Sequence, residues 1–251
     1  PELHSSNTPP MPPWIDGNMC RPHAMSPLFS PFRINQVELP NRLVLPAMVT
    51  RLSGEDGLVN DDIRARYVRF AKGEVGLIVV EAMAVHGAKS GPLLRISDDA
   101  FVPGLADLAK RCHDAGPGKV FPQIIHFLKI SRSGWRQTVD MLSHAELDAI
   151  VEAYGAAAER ARRCGFDGVE LHMAHAYTLS SFLSRMNARR DEYGGSLENR
   201  LRLPLRVIAR VRERVGDDFP VGVRFVGDEC IRGGYTSLDA AVIAVRLARA
   251  G

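Results

Sequence analysis

Short apolar stretches recur along the chain, and longer amphipathic stretches separate them. Five of these stretches, rich in valine, isoleucine and leucine, cover residues 42–48, 76–82, 119–125, 168–173 and 220–226. Continuous apolar runs of this length are typical of strands that are buried on both faces, as in a parallel sheet. The pattern therefore predicts five buried strands.

The segments between the apolar runs carry helix signals. Predicted helices cover residues 61–72, 101–116, 143–165, 196–216 and 237–251. The third begins with Ser143 and Glu146 in the spacing of a capping box and ends at Gly165. Strands that alternate with helices predict an α/β fold, either a TIM-type (β/α)8 barrel or a doubly wound sheet. No GxGxxG follows the first strand, which disfavours a dinucleotide-binding doubly wound unit.

The composition narrows the class of protein. A chain of 251 residues with 45% hydrophobic residues suits one barrel-type domain. The formal net charge is only +3, and charges of both signs alternate along the predicted helices, so nucleic acid is not expected as a partner. No run of about 18 apolar residues is present, so no membrane span is expected. The four cysteines form no CxxC pair, which predicts reduced thiols in a cytoplasmic protein without a zinc or iron–sulfur site.

The first part of the chain differs from the rest. Residues 1–27 contain seven of the sixteen prolines and show no apolar periodicity. We expect them to form an extended or disordered arm outside the core. Residues 28–251 then form the barrel segment.

Polar side chains accumulate where the predicted strands end. The candidate site residues at these ends are Gln123, His172, His175, Tyr177 and Arg224. In β/α barrels the catalytic groups lie at the carboxyl ends of the strands. Two imidazoles and a phenol within six positions can donate hydrogen bonds to a developing oxyanion and can supply a proton.

Each of these residues also has a simpler interpretation. His172 and His175 could be structural histidines or metal ligands, but no third ligand is placed by the sequence, and we predict no metal site. Tyr177 could pack with one hydrogen-bond partner. Arg224, a cation at the end of an apolar strand, could form an ion pair with a neighbouring carboxylate, either Asp228 or Glu229.

Several ordered motifs resemble one enzyme family. The motifs are NRLVLPAM, GLIVVEA, QIIH, the His-x-x-His-x-Tyr spacing, NARRDEYGGSLENR at residues 187–200, and VRF. Together they resemble the old yellow enzyme family of FMN-dependent ene-reductases, in particular the branch that includes 2,4-dienoyl-CoA reductase. The resemblance extends from about Phe29 to Gly251.

The resemblance implies FMN as the bound cofactor. The backbone around Pro46, Ala47 and Met48 would lie against the flavin, and Ala82 would pack near its ring. Val49 departs from the family, in which threonine, cysteine or histidine is frequent at this position. Because valine cannot donate a hydrogen bond, we expect the redox tuning of the flavin to differ.

The resemblance also assigns roles to the polar strand ends. Gln123 would pair with the pyrimidine edge of the flavin, and Arg224 would stabilise negative charge near N1 and O2. His172 and His175 would bind the carbonyl oxygen of an α,β-unsaturated carbonyl or acyl-CoA substrate. Tyr177 would give a proton to Cα while flavin N5 gives a hydride to Cβ, with NADH or NADPH as the reductant.

The number of predicted strands is smaller than a closed barrel requires. A TIM barrel has eight β/α units, and about five are predicted here, so we expect an incomplete barrel, truncated after the fifth unit. In the family, the loops after strands seven and eight bind the FMN phosphate. An oligomer or a missing C-terminal segment would then complete the barrel. The alternatives to a reductase are a non-catalytic subunit or interaction module, and a flavin-free acid–base catalyst such as an isomerase or cyclase acting on an enone.

Overall fold

The computed structural model of the protein describes residues 26–88, 91–131 and 133–251. Two sheets form in these ranges. A small antiparallel hairpin consists of β1 (Phe32–Ile34) and β2 (Val37–Leu39). The central sheet is parallel, and its strands are β3 (Val44–Leu45), β4 (Leu77–Ala84), β5 (Lys119–Ile125), β6 (Val169–Met173) and β7 (Val221–Phe225). All five predicted strands are present.

Six α-helices accompany the strands. They are α1 (Asp61–Lys72), α2 (Val102–Ala115), α3 (His144–Arg163), α4 (Thr178–Leu183), α5 (Leu197–Val215) and α6 (Ser237–Ala248). Five of them were predicted, and the capping box at the start of α3 is formed. The prediction missed α4 and the β1–β2 hairpin, because elements of six and three residues are too short to show a period. No helix in the described ranges is long and apolar enough to cross a membrane.

The order of the strands decides between the two predicted architectures. In the central sheet the spatial order is β3-β4-β5-β6-β7, the same as the order along the chain. A doubly wound sheet reverses its strand order at a switch point, and no reversal occurs here. The described residues therefore form an incomplete β/α barrel of TIM type, as predicted. The predicted N-terminal arm, residues 1–27, lies outside the described residues except for its last two positions.

The first strand is shorter than predicted. Residues 42–48 were expected to form it, but only Val44 and Leu45 pair with β4, opposite Leu77 and Ile78. Proline at position 46 has no N–H group to donate to a ladder, so strand pairing ends there. The backbone that follows is free of the sheet and forms part of the site described below.

The two faces of the central sheet have different surroundings. Val169, Leu171 and Met173 of β6 point to the helix layer and are fully buried. The opposite face lines the barrel interior, where Leu39 of the hairpin joins Leu77, Val79, Ala47 and Phe121 in a separate apolar cluster. We call the part of the inner face that this cluster covers the lower half, and the part at the carboxyl ends of the strands the upper half. Leu77, Val79 and Phe121 lie in the first halves of β4 and β5, and Ala47, which follows β3, connects the cluster to the polar carboxyl ends of the strands.

Candidate active site

Three aromatic side chains meet where β6 ends. The ring centroids of His172 and His175 are 5.1 Å apart, and those of His172 and Tyr177 are also 5.1 Å apart, both with edge-on geometry. His172 is buried, with 4% of its surface exposed, whereas 37% of Tyr177 is exposed. The structure thus brings the three predicted residues together. His172 is buried, and His175 and Tyr177 are exposed at the edge of the cluster.

The hydrogen bonds of His172 define its protonation. Its Nδ1 accepts the backbone N–H of Ala174 at 3.1 Å, and its Nε2 lies 3.3 Å from Nδ1 of His175. Burial, and secondly the neighbouring His175 and Arg224, lower the pKa of His172 to about 4. The imidazole is therefore neutral at pH 7 and carries its proton on Nε2. That N–H points at Nδ1 of His175, which therefore accepts it.

The turn after β6 has an unusual backbone. His175 and Ala176 both adopt left-handed conformations, with φ of 58° and 56°. Residues other than glycine rarely adopt this conformation, and two in succession are strained. The turn delivers Tyr177 to the N-cap position of α4, immediately above His172. Sequence patterns do not show such strain, because it depends on the tertiary contacts that hold the turn.

Arg224 lies on β7 directly opposite His172 in the register of the sheet. Its Nη1 donates a hydrogen bond to the carbonyl oxygen of Ala47 at 2.9 Å. The alternative of an ion pair with Asp228 or Glu229 is wrong. The Asp228 carboxylate accepts the backbone N–H of Cys230 at 2.7 Å. The Glu229 carboxylate accepts the backbone N–H of Tyr235, also at 2.7 Å. Among the described residues no carboxylate forms a salt bridge with Arg224, so its charge is left for another partner.

Gln123 is buried in the barrel interior next to a carboxylate that the sequence reasoning missed. Its Nε2 donates to Oε1 of Glu170 at 2.6 Å, and the two residues are opposite each other on β5 and β6. Burial raises the pKa of Glu170, and the bond from Gln123 and the charge of Arg224 oppose this effect. An acidic residue two positions before His172 in an apolar run was the available signal, since alternate residues of a strand share a face.

A β-bulge shapes the carboxyl end of β4. The register with β5 shifts between Val80 and Met83, so Glu81 and Ala82 together face Gln123. Bulges of this kind frequently lie beside active sites, where they redirect side chains. Ala82, a predicted flavin neighbour, is buried there, with 2% of its surface exposed.

Glu81 connects this bulge to the segment that leaves β3. Its carboxylate accepts the hydroxyl of Thr50 at 2.7 Å and the hydroxyl of Tyr67 at 3.2 Å. Just before Thr50 in the chain, Pro46 and Met48 are exposed, with 46% of Met48 accessible. Glu81 therefore fixes the path of a backbone segment in which Pro46 and Met48 are exposed.

The motif at 187–200 has a structural role, because its side chains fix the loop between α4 and α5. Asn187 donates to the carbonyl oxygens of Phe182 and Tyr193, at 3.1 and 2.8 Å. Asp191 caps the N–H of Tyr193 and is paired with Arg189, which holds the pKa of that carboxyl far below its ordinary value. These contacts fix the connection between α4 and α5 and do not reach the histidine pair.

One group of possible metal ligands lies in the same loop region. It consists of His144, Asp191 and Glu192. Because Arg189 already neutralises Asp191 and the other two side chains are exposed, the group is better explained as an ion-pair network. His172 and His175 belong to no such group in the part of the chain that the structure describes.

The polar groups at the strand ends fit a flavin. Arg224 supplies a cation that has no salt bridge among the described residues and further N–H donors, and Gln123 retains a carbonyl oxygen and one N–H after its bond to Glu170. Ala47 and Ala82 are small, so backbone can approach a planar ring system closely. Cation, amide and small side chains match the electron-rich pyrimidine edge and flat faces of an isoalloxazine.

Comparisons with known proteins agree with this geometry. The family model described as "NADH:flavin oxidoreductase / NADH oxidase family" matches residues 27–133 and 128–250. The chain is 37% identical over 245 residues to an NADH oxidase of Thermoanaerobacter brockii, a match that covers 89% of this chain but 38% of that protein. It is 35% identical over 240 residues to an NADPH dehydrogenase of a Geobacillus species, covering 89% of this chain and 70% of that protein.

A solved structure shows the same fold. The complex of a 2-naphthoyl-CoA reductase with 2-naphthoyl-CoA superposes with a TM-score of 0.80 at 26% identity, over 89% of this chain and 39% of the other. The chain thus spans little more than a third of some relatives and about two thirds of others. The comparisons concern the family, and the dienoyl-CoA reductase branch within it stays a prediction. The chain belongs to the NADH:flavin oxidoreductase / NADH oxidase family, the old yellow enzyme family of FMN-dependent NAD(P)H oxidoreductases.

Proposed function

We propose that the protein reduces the carbon–carbon double bond of an α,β-unsaturated carbonyl compound, with FMN as cofactor and NADH or NADPH as reductant. The observation that carries the proposal is the cluster of His172, His175 and Tyr177 beside Arg224. It combines two oxyanion donors, one proton donor and one cation at a single edge of the sheet.

His172 and His175 bind the carbonyl oxygen of the substrate. The neutral His172 ring presents its Nε2–H to Nδ1 of His175, which lies 3.3 Å away. A carbonyl oxygen that enters between the rings replaces His175 Nδ1 as the acceptor of this N–H, and His175 turns a protonated ring nitrogen toward the same oxygen. Hydrogen bonds to that oxygen draw electron density from the double bond and make Cβ electrophilic.

Tyr177 supplies the proton to Cα. Its ring packs edge-on against His172 and 37% of the residue is exposed. In the described ranges its hydroxyl has no hydrogen-bond partner, so the phenol O–H is available to the substrate. A positioned general acid of this kind contributes roughly 10²–10⁴-fold to a rate.

Arg224 and Gln123 would hold the pyrimidine edge of the cofactor, and the backbone around Pro46, Ala47 and Met48 and the small Ala82 side chain would lie against its ring. A bound FMN would supply hydride transfer from NADH or NADPH to the substrate Cβ. The guanidinium of Arg224, held by the carbonyl of Ala47, is placed to balance negative charge on the pyrimidine side.

The substrate class is an α,β-unsaturated carbonyl compound or an acyl-CoA thioester. A thioester carbonyl presents the same oxygen to the histidine pair as a ketone does. The similar solved reductase is a complex with an aryl-CoA thioester, which supports including this class. A membrane or nucleic acid has no role in this chemistry, and a cytoplasmic location remains our expectation.

Further strands would complete the barrel. In the described part of the chain, β3 and β7 each pair with one neighbour, so both edges of the sheet carry unpaired backbone groups. We propose that a C-terminal continuation or a second copy covers these edges and adds the phosphate-binding loops.

Anaerobic spectroscopy tests the proposal. The protein is loaded with FMN, reduced with NADH or NADPH, and mixed with 2-cyclohexenone or cinnamoyl-CoA. We expect the flavin absorbance to bleach with the nucleotide and to return with the acceptor, and mass spectrometry to find the saturated product. A protein that binds no FMN, or whose bleached spectrum is insensitive to both acceptors, would contradict it. Turnover of an enone that survives removal of FMN would favour the acid–base alternative.

A further inference from the structure

His126 lies at a junction of three elements next to the site. It follows β5 directly, and its backbone and side chain both contact the first residue of α4. The backbone N–H of Thr178 donates to the carbonyl oxygen of His126 at 3.3 Å, and the Thr178 hydroxyl is hydrogen-bonded to Nδ1 of His126 at 2.8 Å. Thr178 immediately follows Tyr177, so this double contact is one residue from the proposed proton donor.

His126 is itself anchored in the core. Its backbone N–H donates to the hydroxyl of Tyr154 at 2.9 Å, and Tyr154, on α3, is completely buried. The imidazole of His86 packs edge-on against His126, with ring centroids 4.7 Å apart. Burial lowers the pKa of His126 to about 3, so its ring is a neutral hydrogen-bonding group at pH 7. The junction is therefore a rigid reference point.

In the described contacts, the backbone around Tyr177 is bonded within its own turn and to α4: the N–H of Ser181 donates to the carbonyl oxygen of Tyr177 at 2.8 Å, and the Ser181 hydroxyl donates to that of Ala176 at 3.1 Å. Tyr177 is 37% exposed, and its backbone N–H donates to the carbonyl oxygen of Ala174 at 3.3 Å, at the limit of a good hydrogen bond. The two residues before it, His175 and Ala176, are in left-handed conformations. A strained turn persists only where surrounding contacts hold it. Thr178, which is 0% exposed, is the neighbouring residue with a buried polar contact.

We infer that His126, through its hydrogen bonds to Thr178, is a positioning residue that holds the Tyr177 phenol above His172. The inference rests on the proposed function, and adds to it a residue outside the reacting groups. His126 does not touch the histidine pair in the described contacts, so its effect passes through Thr178. Loss of the contact would let the strained turn relax and would move the phenol away from Cα.

The test compares Thr178→Val with Thr178→Ser. Valine has the shape of threonine but cannot bond to His126 Nδ1, whereas serine keeps the hydroxyl. We expect Thr178→Val to lower the rate of double-bond reduction roughly ten- to a hundredfold, the range that small misplacements of reacting groups produce. Serine should restore the rate to within about threefold. Tyr154→Phe, which removes the acceptor for the His126 N–H, should lower the rate in the same direction.

Two further measurements separate positioning from general damage. The rate of flavin bleaching by NADPH should stay unchanged in Thr178→Val, because it needs no proton from Tyr177, and the solvent deuterium isotope effect on double-bond reduction should increase. Thr138→Val, at an exposed threonine without a side-chain cap bond, is the matched control and should match the wild type. Equal rates for Thr178→Val and wild type, or equal losses in both half-reactions with a lowered melting temperature, would overturn the inference.

A structural measurement keeps the inference separate from the proposed function. Nuclear Overhauser contacts between the Tyr177 and His172 rings should be present in the wild type and weaker in Thr178→Val. Contacts of equal strength in both proteins would overturn the inference even if the wild type reduces enones. A wild type that shows the contacts but reduces no enone would instead contradict the proposed function.

Discussion

The inner face of the sheet has two halves with opposite chemistry. In its lower half, Leu77, Val79 and Phe121 are buried and belong to one apolar cluster. In its upper half, Gln123 of β5 and Arg224 of β7 place polar atoms in the same interior. Only one residue of β5, Pro122, separates the apolar Phe121 from the amide of Gln123.

The two halves contribute differently to the stability of the fold. The lower half stabilises the folded chain by close packing, and the upper half contains groups that destabilise it. Phe121 packs so closely on Gly168 that a Cβ at that glycine would lie 2.5 Å from the phenyl ring. The upper half contains buried polar groups, a strained turn and a cation without a salt bridge among the described residues, each of which destabilises the folded chain. Such features are concentrated at functional sites, and the packed lower half offsets them.

The largest expected effect is on the upper half. Tyr177→Phe removes the phenol O–H and keeps the ring against His172. We expect the rate of double-bond reduction to fall about 10²–10⁴-fold, since the general acid is lost. Stopped-flow kinetics would measure this rate, while FMN binding and bleaching by NADPH serve as internal controls that should not change. A rate within threefold of the wild type would show that another group donates the proton.

The matched change in the lower half should affect stability and leave the chemistry intact. Phe121→Ala removes a ring that is 3% exposed, and we expect a loss of about 3–5 kcal/mol in the free energy of unfolding. Urea denaturation followed by circular dichroism would measure it. The rate per FMN-loaded molecule should remain within about twofold of the wild type. A large loss of rate without loss of stability would erase the distinction between the two halves.

Acid should lower the free energy of unfolding through His172, a buried residue of the upper half. His172 has its pKa lowered to about 4 in the folded protein, against an ordinary value of 6.5. As the pH falls, His172 takes up a proton in the unfolded chain before it does so in the folded chain. The neutral His172 therefore makes its full contribution to the unfolding free energy above pH 6.5, and this contribution is lost as the pH falls toward 4. The loss is about 3 kcal/mol at most. His172→Asn, which can still accept the Ala174 N–H, should show a shallower fall in unfolding free energy over this window. Parallel curves would contradict the assignment of a neutral buried imidazole.

The smallest effect concerns the carboxylate that holds Gln123. Glu170→Ala frees the amide, whereas Glu170→Gln keeps an oxygen that can accept from Gln123 Nε2. We expect the alanine variant to bind FMN more weakly by about 1 kcal/mol, the net contribution of one hydrogen bond, and the glutamine variant to stay close to the wild type. Fluorescence titration with FMN would measure both. If the two variants bind alike, Glu170 does not orient Gln123.

Much of the fold followed from local pattern. Apolar runs and caps predicted the five strands and five helices of the central unit, and the rule that parallel strands present their carboxyl ends at one edge placed His172 and Arg224 together. The two residues are in register on adjacent strands, so one rule about parallel sheets was sufficient.

The remainder depends on contacts between distant segments. The bulge at Glu81, the left-handed turn at His175 and the bond between His126 and Thr178 have no local signature. Each is stable only because other elements hold it, and single-sequence patterns do not contain that information. The early end of β3 could have been predicted from Pro46, since proline cannot donate to a ladder.

The most direct test of the central claim follows the two hydrogens that are added to the double bond. Reduction of 2-cyclohexenone is run once in D2O with unlabelled nucleotide and once in H2O with the nucleotide deuterated at the transferable C4 position, and the product is examined by NMR. We predict deuterium at Cα from the solvent in the first case and at Cβ from the nucleotide in the second, with the Cα label acquired much more slowly in Tyr177→Phe. Solvent deuterium at both carbons, or no label from the nucleotide, would contradict the division of labour between Tyr177 and the flavin.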